Sequence, residues 1–176
     1  MKWQEILTTY WGQTTLILAI VTFFIQRLFN LKSKKIEISY SLFQQNRITA
    51  VNTFYTNYAK VEFMWHSLSI WDILEHKISS KEMDNIIWPP LNDLKKSVLE
   101  LKIYFPTQEH KYFQQLLDNF LLINNNLSKN YFDFDQEKKL THKTNDFNFF
   151  KDEMEKKNNK ILESISEIIR LSYYHK

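Results

Sequence analysis

The stretch ILTTYWGQTTLILAIVTFFIQ, residues 6–26, decides the fold, because its 21 residues carry no formal charge. A helix of this length rises about 32 Å at 1.5 Å per residue, and the hydrocarbon layer of a bilayer is about 30 Å thick. Trp3, Tyr10 and Trp11 lie near its start, where amphipathic rings prefer the level of the lipid headgroups. The stretch therefore predicts a single transmembrane helix near the N-terminus.

Positive charge distinguishes the two ends of this stretch. Lys2 is the only basic side chain before it. Four follow it within nine residues: Arg27, Lys32, Lys34 and Lys35. Short flanks rich in Lys and Arg stay in the cytoplasm. We therefore predict that residues 1–35 anchor the chain in a bacterial inner membrane, with the N-terminus outside, the rings and the cations at the two interfaces, and residues 36–176 as a cytoplasmic domain.

Two other interpretations of residues 6–26 stay open. A secretory signal peptide also begins with a lysine and an apolar run, but no small-x-small cleavage site follows Ile25, and the charge asymmetry opposes export of the rest of the chain. A buried helix of a soluble protein is the second alternative, since several residues of the stretch are polar. We favour the uncleaved anchor.

Small and polar residues of the stretch recur at steps of 4 and 3. They are Thr8, Gly12, Thr15, Ala19, Thr22 and Gln26, here called the packing face. This is the 3.5-residue repeat of a left-handed helix pair, and in lipid small residues let two backbones approach closely. We predict that the face packs against another transmembrane helix, from a second copy or from another membrane protein. Alternatively, the threonines bond their own preceding carbonyls and the phase is accidental.

The rest of the chain shows a helical hydrophobic period. Apolar residues follow steps of 3 and 4 in residues 41–78, 91–105, 113–127 and 146–174. Residues 132–145 are polar and aperiodic, which predicts a loop. The predicted fold is all-α: a single N-terminal transmembrane helix followed by an antiparallel bundle of about four long helices.

Local signals set the predicted helix ends. Ser79 and Glu82 have capping-box spacing, so a short helix begins there and ends before the corner made by Pro89 and Pro90. Thr107 is placed to cap the next long helix.

Two positions leave alternatives open. Ile36, Ile38 and Tyr40 alternate with polar residues, as in a short strand or at the beginning of a helix. Asn158 lies on the apolar face of the last helix, where it either fixes register or fills a solvated gap.

Composition excludes most familiar enzyme sites. The chain has no cysteine and one glycine, so thiol nucleophiles, cysteine-ligated zinc and glycine-rich phosphate loops are absent. Glu62 with His66, and Asp72 with His76, are the best metal candidates, but no Glu-x-x-His occurs and helix-surface ion pairs explain both. We predict no catalytic residue, no cofactor and no metal, and hence no enzyme.

The net charge of +3 does not indicate a nucleic-acid partner. In residues 1–35 five cations face one acid, whereas the rest of the chain carries 18 cations and 19 acids. A near-neutral body with mixed signs lacks the basic surface that nucleic-acid binding requires.

Several short patterns occur in order along the chain. They are Lys35-Ile36-Glu37-Ile38-Ser39, Arg47 and Tyr55 in the long helix, Ile103-Tyr104-Phe105-Pro106, and Ile169-Arg170. With them the chain resembles a broad group of small, mostly uncharacterised bacterial inner-membrane proteins with one N-terminal span and a cytoplasmic helical body. The resemblance implies topology and transfers no catalytic residue.

Two functions agree with these features. The first is a membrane-anchored, non-enzymatic interaction or scaffold module that self-associates or pairs through its transmembrane helix and binds a cytosolic protein through its bundle. The alternative is a membrane-perturbing effector of a bacterial antiviral defence or toxin system, which acts by clustering of the transmembrane helix.

Overall fold

The computed structural model describes residues 3–133 and 139–174. The described residues form five helices and no strand. The helices are α1 (Trp3–Ser67), α2 (Ile70–Leu74), α3 (Ser80–Leu101), α4 (Thr107–Phe132) and α5 (Leu140–Tyr174). The prediction of an all-α protein with one long apolar helix near the N-terminus is confirmed.

Helix α1 is a single element of 65 residues. It contains no proline, and Gly12 is its only glycine, so nothing in its sequence removes a backbone donor. Residues 36–40, for which a strand stayed open, are helical and lie inside it.

The chain divides into two compact units, Met1–Asn46 and Arg47–Lys176, here called the N-terminal and C-terminal units. Helix α1 contributes residues to both. The sequence-based boundary between residues 35 and 36 stays a prediction.

Aromatic side chains pack α1 against α4 and α5 inside the C-terminal unit. The rings of Phe54 and Phe113 meet edge to face with centroids 5.0 Å apart, and those of Tyr58 and Phe120 lie 5.4 Å apart. Further along α1, the Trp65 ring lies 6.3 Å from that of Phe147 on α5. Such pairs each add about 0.5–1.5 kcal/mol beyond the burial of their area, so this layer holds the core together.

Polar contacts tie the remaining helices of the C-terminal unit together. The His110 Nε2 near the start of α4 lies 2.8 Å from the carbonyl oxygen of Val98 near the end of α3. At the other end of α4, the Tyr131 hydroxyl donates to the carbonyl of Ile78, which precedes α3. The start of α4 therefore contacts the end of α3, and the end of α4 contacts the residues before α3.

The predicted corner at Pro89 and Pro90 is wrong, because α3 runs through both prolines. The two rings remove the N–H groups that would bond the carbonyls of Asn85 and Ile86. Both of these residues are exposed, so water can take over the two freed carbonyls. The opposite side of α3 holds the helix in place through buried residues on either side of the prolines: Met83, Ile87, Leu91 and Leu94.

The predicted continuation of the first long helix to residue 78 is also wrong. Helix α1 ends at Ser67, and Ser69 caps the short α2 by accepting from the N–H of Asp72. After α2, His76 has a φ of 59°, while its N–H bonds Ile73 and that of Lys77 bonds Asp72. This is the Schellman arrangement that ends helices, here with histidine in place of the usual glycine.

The remaining helix ends agree in part with the sequence. The capping box is confirmed: the N–H of Ser79 donates to the Glu82 carboxylate, and the N–H of Glu82 donates to the Ser79 hydroxyl. The cap predicted at Thr107 is wrong, because Pro106 occupies the capping position and no side chain bonds there.

The loop predicted over residues 132–145 is longer than the structure has it, since α5 begins at Leu140. Residues 134–138 lie outside the described residues. Lys143 explains the early start of α5. Its side chain is largely buried, and its Nζ donates to the carbonyl of Asp133 at 2.6 Å and lies 3.6 Å from the Asp133 carboxylate. This contact fixes the first turn of α5 against the end of α4.

Candidate functional site

The packing face lies on α1 within the N-terminal unit. At about 100° per residue, its six positions fall within an arc of about 80° around the helix axis. Thr15, Ala19, Thr22 and Gln26 are exposed, while the side chains of Thr8 and Gly12 lie outside the described ones. A continuous helix thus keeps the small and polar residues on one side.

Two threonines of this face, Thr15 and Thr22, bond their own helix. The Thr15 hydroxyl donates to the carbonyl of Trp11 at 2.9 Å, and that of Thr22 donates to the carbonyl of Leu18 at 2.7 Å. This is the local bonding that the alternative interpretation predicts, and it gives each of the two hydroxyl protons an acceptor within the helix. The Thr22 hydroxyl oxygen keeps acceptor capacity for a donor on another helix.

Gln26 is the strongest potential donor on the packing face. Its carboxamide makes no hydrogen bond within the part of the chain that the structure describes. The group offers two N–H donors and a carbonyl acceptor at the end of the apolar stretch. A matching carboxamide on a second helix would satisfy both functions at once.

The other sides of this part of α1 are apolar and exposed. Among the described residues, α1 is the helix that is long and apolar enough to cross a membrane, and no residue of its apolar window is buried. The exposed apolar side chains are Leu16, Ile17, Leu18, Ile20, Val21, Phe23, Phe24 and Ile25. The core helix of a soluble protein instead buries such residues within its own chain.

The predicted interface residues flank this apolar part. Trp3, Tyr10 and Trp11 are exposed at the N-terminal end. At the other end the exposed cations are Arg27, Lys32, Lys34 and Lys35. Trp3 and Arg27 are separated by 24 residues, about 36 Å of helix. That length matches the hydrocarbon layer with its headgroup edges.

A second group of polar residues lies inside the C-terminal unit. It consists of Asn119 on α4 and Asn158 on α5 and is called the polar layer. Asn158 is 0% exposed, and its carbonyl oxygen accepts from the Nδ2 of Asn119 on α4 at 2.8 Å. The Nδ2 of Asn158 has no partner among the described residues. Asn158 therefore does not fill a solvated gap. Its amide is fully buried and is bonded to a residue of another helix.

Carboxylates also lie between α1 and α5 in the C-terminal unit. The Tyr58 hydroxyl donates to Glu62 at 3.5 Å. Burial, with smaller effects of the Glu62 and Glu155 carboxylates, raises the pKa of Tyr58 well above its usual range. Glu155 on α5 lies 3.7 Å from the His66 Nε2 and 3.8 Å from the Lys151 Nζ. Glu155 therefore links the end of α1, through His66, to Lys151 on its own helix.

The two candidate metal pairs are drawn into other contacts. Asp72 lies 3.4 Å from the Nζ of Lys77, and the His76 ring packs edge to face on Tyr131 at 4.5 Å. Among the described residues, no group of three or more His, Asp or Glu side chains is placed to hold a metal ion.

Sequence reasoning found Glu62, His66 and Asn158 but missed their partners on other helices. Asn119 and Glu155 lie 39 and 89 positions from the residues they contact, Asn158 and His66. The spacing of polar residues along α4 and α5 does not indicate which residue of another helix each side chain contacts.

A comparison with known protein families, with curated proteins and with solved structures gives no match.

Proposed function

We propose that this chain is a membrane-anchored, non-enzymatic interaction or scaffold module. It self-associates, or pairs with another membrane protein, through its transmembrane helix, and it binds a cytosolic protein through its helical domain. The observation that carries the proposal is the exposed apolar part of α1, which has one small polar face and leads into a separately packed helical unit.

The proposed topology is a single pass through a bacterial inner membrane with the N-terminus outside. The apolar part of α1 needs lipid around it, because water solvates its Leu, Ile, Val and Phe side chains poorly. Four cations after the span support a cytoplasmic location for the helical domain. The same layout is the one predicted from the resemblance of the short sequence patterns to small bacterial inner-membrane proteins.

The proposed domain is an antiparallel bundle of the second half of α1 with α3, α4 and α5. Two contacts between α1 and α5 support it. The Tyr55 hydroxyl lies 3.4 Å from that of Ser166, whereas Trp65 packs on Phe147. As the residue number rises along α1 it falls along α5, which is the relation of antiparallel neighbours.

A groove between α3 and α4 supports a cytosolic protein as the second partner. It encloses about 370 Å³. Its lining residues are Lys95, Leu99, Lys102, Thr107, His110, Lys111, Gln114 and Leu117. None of its three lysines forms an ion pair within the described residues. Unpaired cations around an apolar floor suit a partner segment that combines carboxylates with apolar side chains.

Fractionation tests the anchor and the association together. The full chain is compared with a chain that begins at Lys35, first by membrane fractionation and then by size-resolved mass in detergent. We expect the full chain in the membrane as a multimer and the shorter chain as a soluble helical monomer. If both chains are soluble, the anchor is wrong; a membrane-bound monomer would instead indicate a different transmembrane partner.

The second candidate function is a membrane-perturbing effector of a defence or toxin system. The exposed Thr15, Thr22 and Gln26 favour it, because clustered spans with polar faces can admit water into a bilayer. Induced expression should then slow growth and lower the membrane potential. Unchanged growth and potential, with neighbouring genes also expressed, would remove this candidate.

A further inference from the structure

The 3.5-residue repeat of the packing face continues beyond the apolar stretch. From Gln26 the steps of 3 and 4 go on without a phase break to Phe29, Ser33, Ile36, Tyr40 and Phe43, here called the juxtamembrane seam. All five side chains belong to α1 in the N-terminal unit, and all are exposed. One helix face thus bears two kinds of side chain in succession.

The change of side chain along this face matches the proposed change of surroundings from lipid to water. Up to Gln26 the face is small and polar, which favours close backbone approach in lipid, where apolar burial gives no driving force. From Phe29 onwards four of five positions are large and apolar, which favours association in water. The change occurs beside Arg27, the first of the cations that mark the interface.

The same repeat is a packing seam further along α1. Its next positions are Arg47, Ala50, Phe54, Asn57, Val61 and Met64. Five of these six side chains are buried in the C-terminal unit, and the Arg47 guanidinium lies 4.4 Å from the centre of the Phe105 ring. In that unit other residues of the same chain, such as Phe113 and Phe105, pack on these positions of α1.

We propose that the juxtamembrane seam pairs with the same seam of a second copy, as a parallel coiled coil in register. The parallel direction rests on the proposed function, because all copies of a single-pass protein enter the membrane in one orientation. In heptad terms Ser33 and Tyr40 take the a positions, while Phe29, Ile36 and Phe43 take the d positions. Tethering in one membrane raises the local concentration, so that a coiled coil of about two heptads suffices.

Charge complementarity supports this occupant. The g and e positions flank the seam, and in a parallel pair each g residue faces the e residue five positions later on the partner helix. In this segment the g position holds Lys32 and the e position five residues on holds Glu37. The other cations, Arg27, Lys34 and Lys35, take b and c positions away from the contact. Lys32 of each copy therefore faces Glu37 of the other copy across the interface.

Cysteine cross-linking of the full chain in isolated membranes tests the proposal. The chain has no cysteine, so single-cysteine variants need no background changes. Ile36→Cys reports on the seam. Ile38→Cys is a matched control, because the two isoleucines are 61% and 60% exposed yet point about 160° apart around the helix. With a short bis-maleimide we expect at least about fivefold more dimer from Ile36→Cys than from Ile38→Cys, and equal yields or the reverse order would overturn the proposal.

Charge exchange tests the register. In the Ile36→Cys chain, Lys32→Glu alone and Glu37→Lys alone should each lower the cross-linked fraction about threefold, since each places like charges opposite one another. The double exchange should restore it. Lys34→Glu, at a b position, should leave the yield unchanged. A double exchange that cross-links no better than the single variants would contradict the in-register pairing.

Two further measurements on the same membranes separate this proposal from the proposed function. Ala19→Cys reports on contact within the span, and fractionation reports on membrane location. A membrane-bound chain that cross-links at Ala19→Cys but not at Ile36→Cys would overturn the seam and leave the proposed function standing. A soluble chain that still cross-links at Ile36→Cys and not at Ile38→Cys would support the seam and refute the anchor.

Discussion

Asn158 shows how one buried side chain reduces the stability of this fold. Its Nδ2 lies in the core with no partner among the described residues, and such an orphaned donor costs about 1–3 kcal/mol. Its partner Asn119 is only partly buried and can turn to water. The amide pair therefore orients α4 against α5 at the expense of stability.

We expect Asn158→Leu to raise the free energy of unfolding by about 1 kcal/mol, because it replaces the orphaned amide with an apolar side chain of similar size. Thermal unfolding of the full chain in detergent, followed by circular dichroism, measures the shift. Asn159→Leu is the matched control: that neighbour is exposed, so its change should stay within about 0.5 kcal/mol. A lower melting temperature for Asn158→Leu would show that the amide is needed for the packing itself.

Tyr58 should make the fold sensitive to alkali. Burial first, and the Glu62 and Glu155 carboxylates second, raise the pKa of this hydroxyl in the folded state. The stability that its neutral form contributes is complete below the unfolded pKa near 10 and is lost as pH rises further, because only the unfolded chain then releases the proton. The free energy of unfolding should thus fall less steeply between pH 9 and about 11 in Tyr58→Phe than in the native chain. Equal slopes would mean that Tyr58 ionises without unfolding.

At the scale of elements, α3 shows how packing overrides a local signal. Two adjacent prolines predict a helix end, yet Ile87 and Leu91 on either side are buried in the same core. The helix therefore carries two weak positions on its exposed side.

We expect Pro89→Ala to stabilise the C-terminal unit by about 1–2 kcal/mol, since alanine restores a donor for the carbonyl of Asn85. The rise in melting temperature of the full chain measures the gain. Pro106→Ala is the control, because Pro106 precedes the first turn of α4 and blocks no helical hydrogen bond. If both substitutions had the same effect, the gain would not come from the helix interior.

The span is the element on which contact between copies inside the membrane depends. Gly12→Leu with Thr15→Leu fills the packing face, so it should abolish the packing of the spans and reduce the multimer in detergent, while membrane location is kept or improved. The matched control is Ile17→Leu with Val21→Leu on the opposite side of α1, which should leave the multimer intact. A multimer unchanged by the first pair would assign association to another surface.

The sequence predicts what depends on neighbours along the chain and misses what depends on distant ones. The capping box at Ser79 needs only residues three apart, and it is confirmed. The start of α5 depends on Lys143 reaching Asp133 across residues whose pattern looks like a loop. The partners of Asn158 and His66 lie on other helices, so no periodicity indicates them.

At the scale of the whole molecule, the contact of Lys143 with Asp133 has a consequence for proteolysis. Trypsin cleaves most readily after a lysine whose side chain is exposed and whose backbone is not helical. Lys139 is exposed and precedes α5, whereas Lys143 is largely buried and helical, with its Nζ bonded. Brief digestion of the native chain should therefore produce a C-terminal fragment that begins at Leu140 and none that begins at Thr144. Since α5 contributes Phe147, Met154 and Ile165 to the core, that fragment should stay bound to the rest of the molecule until denaturant is added.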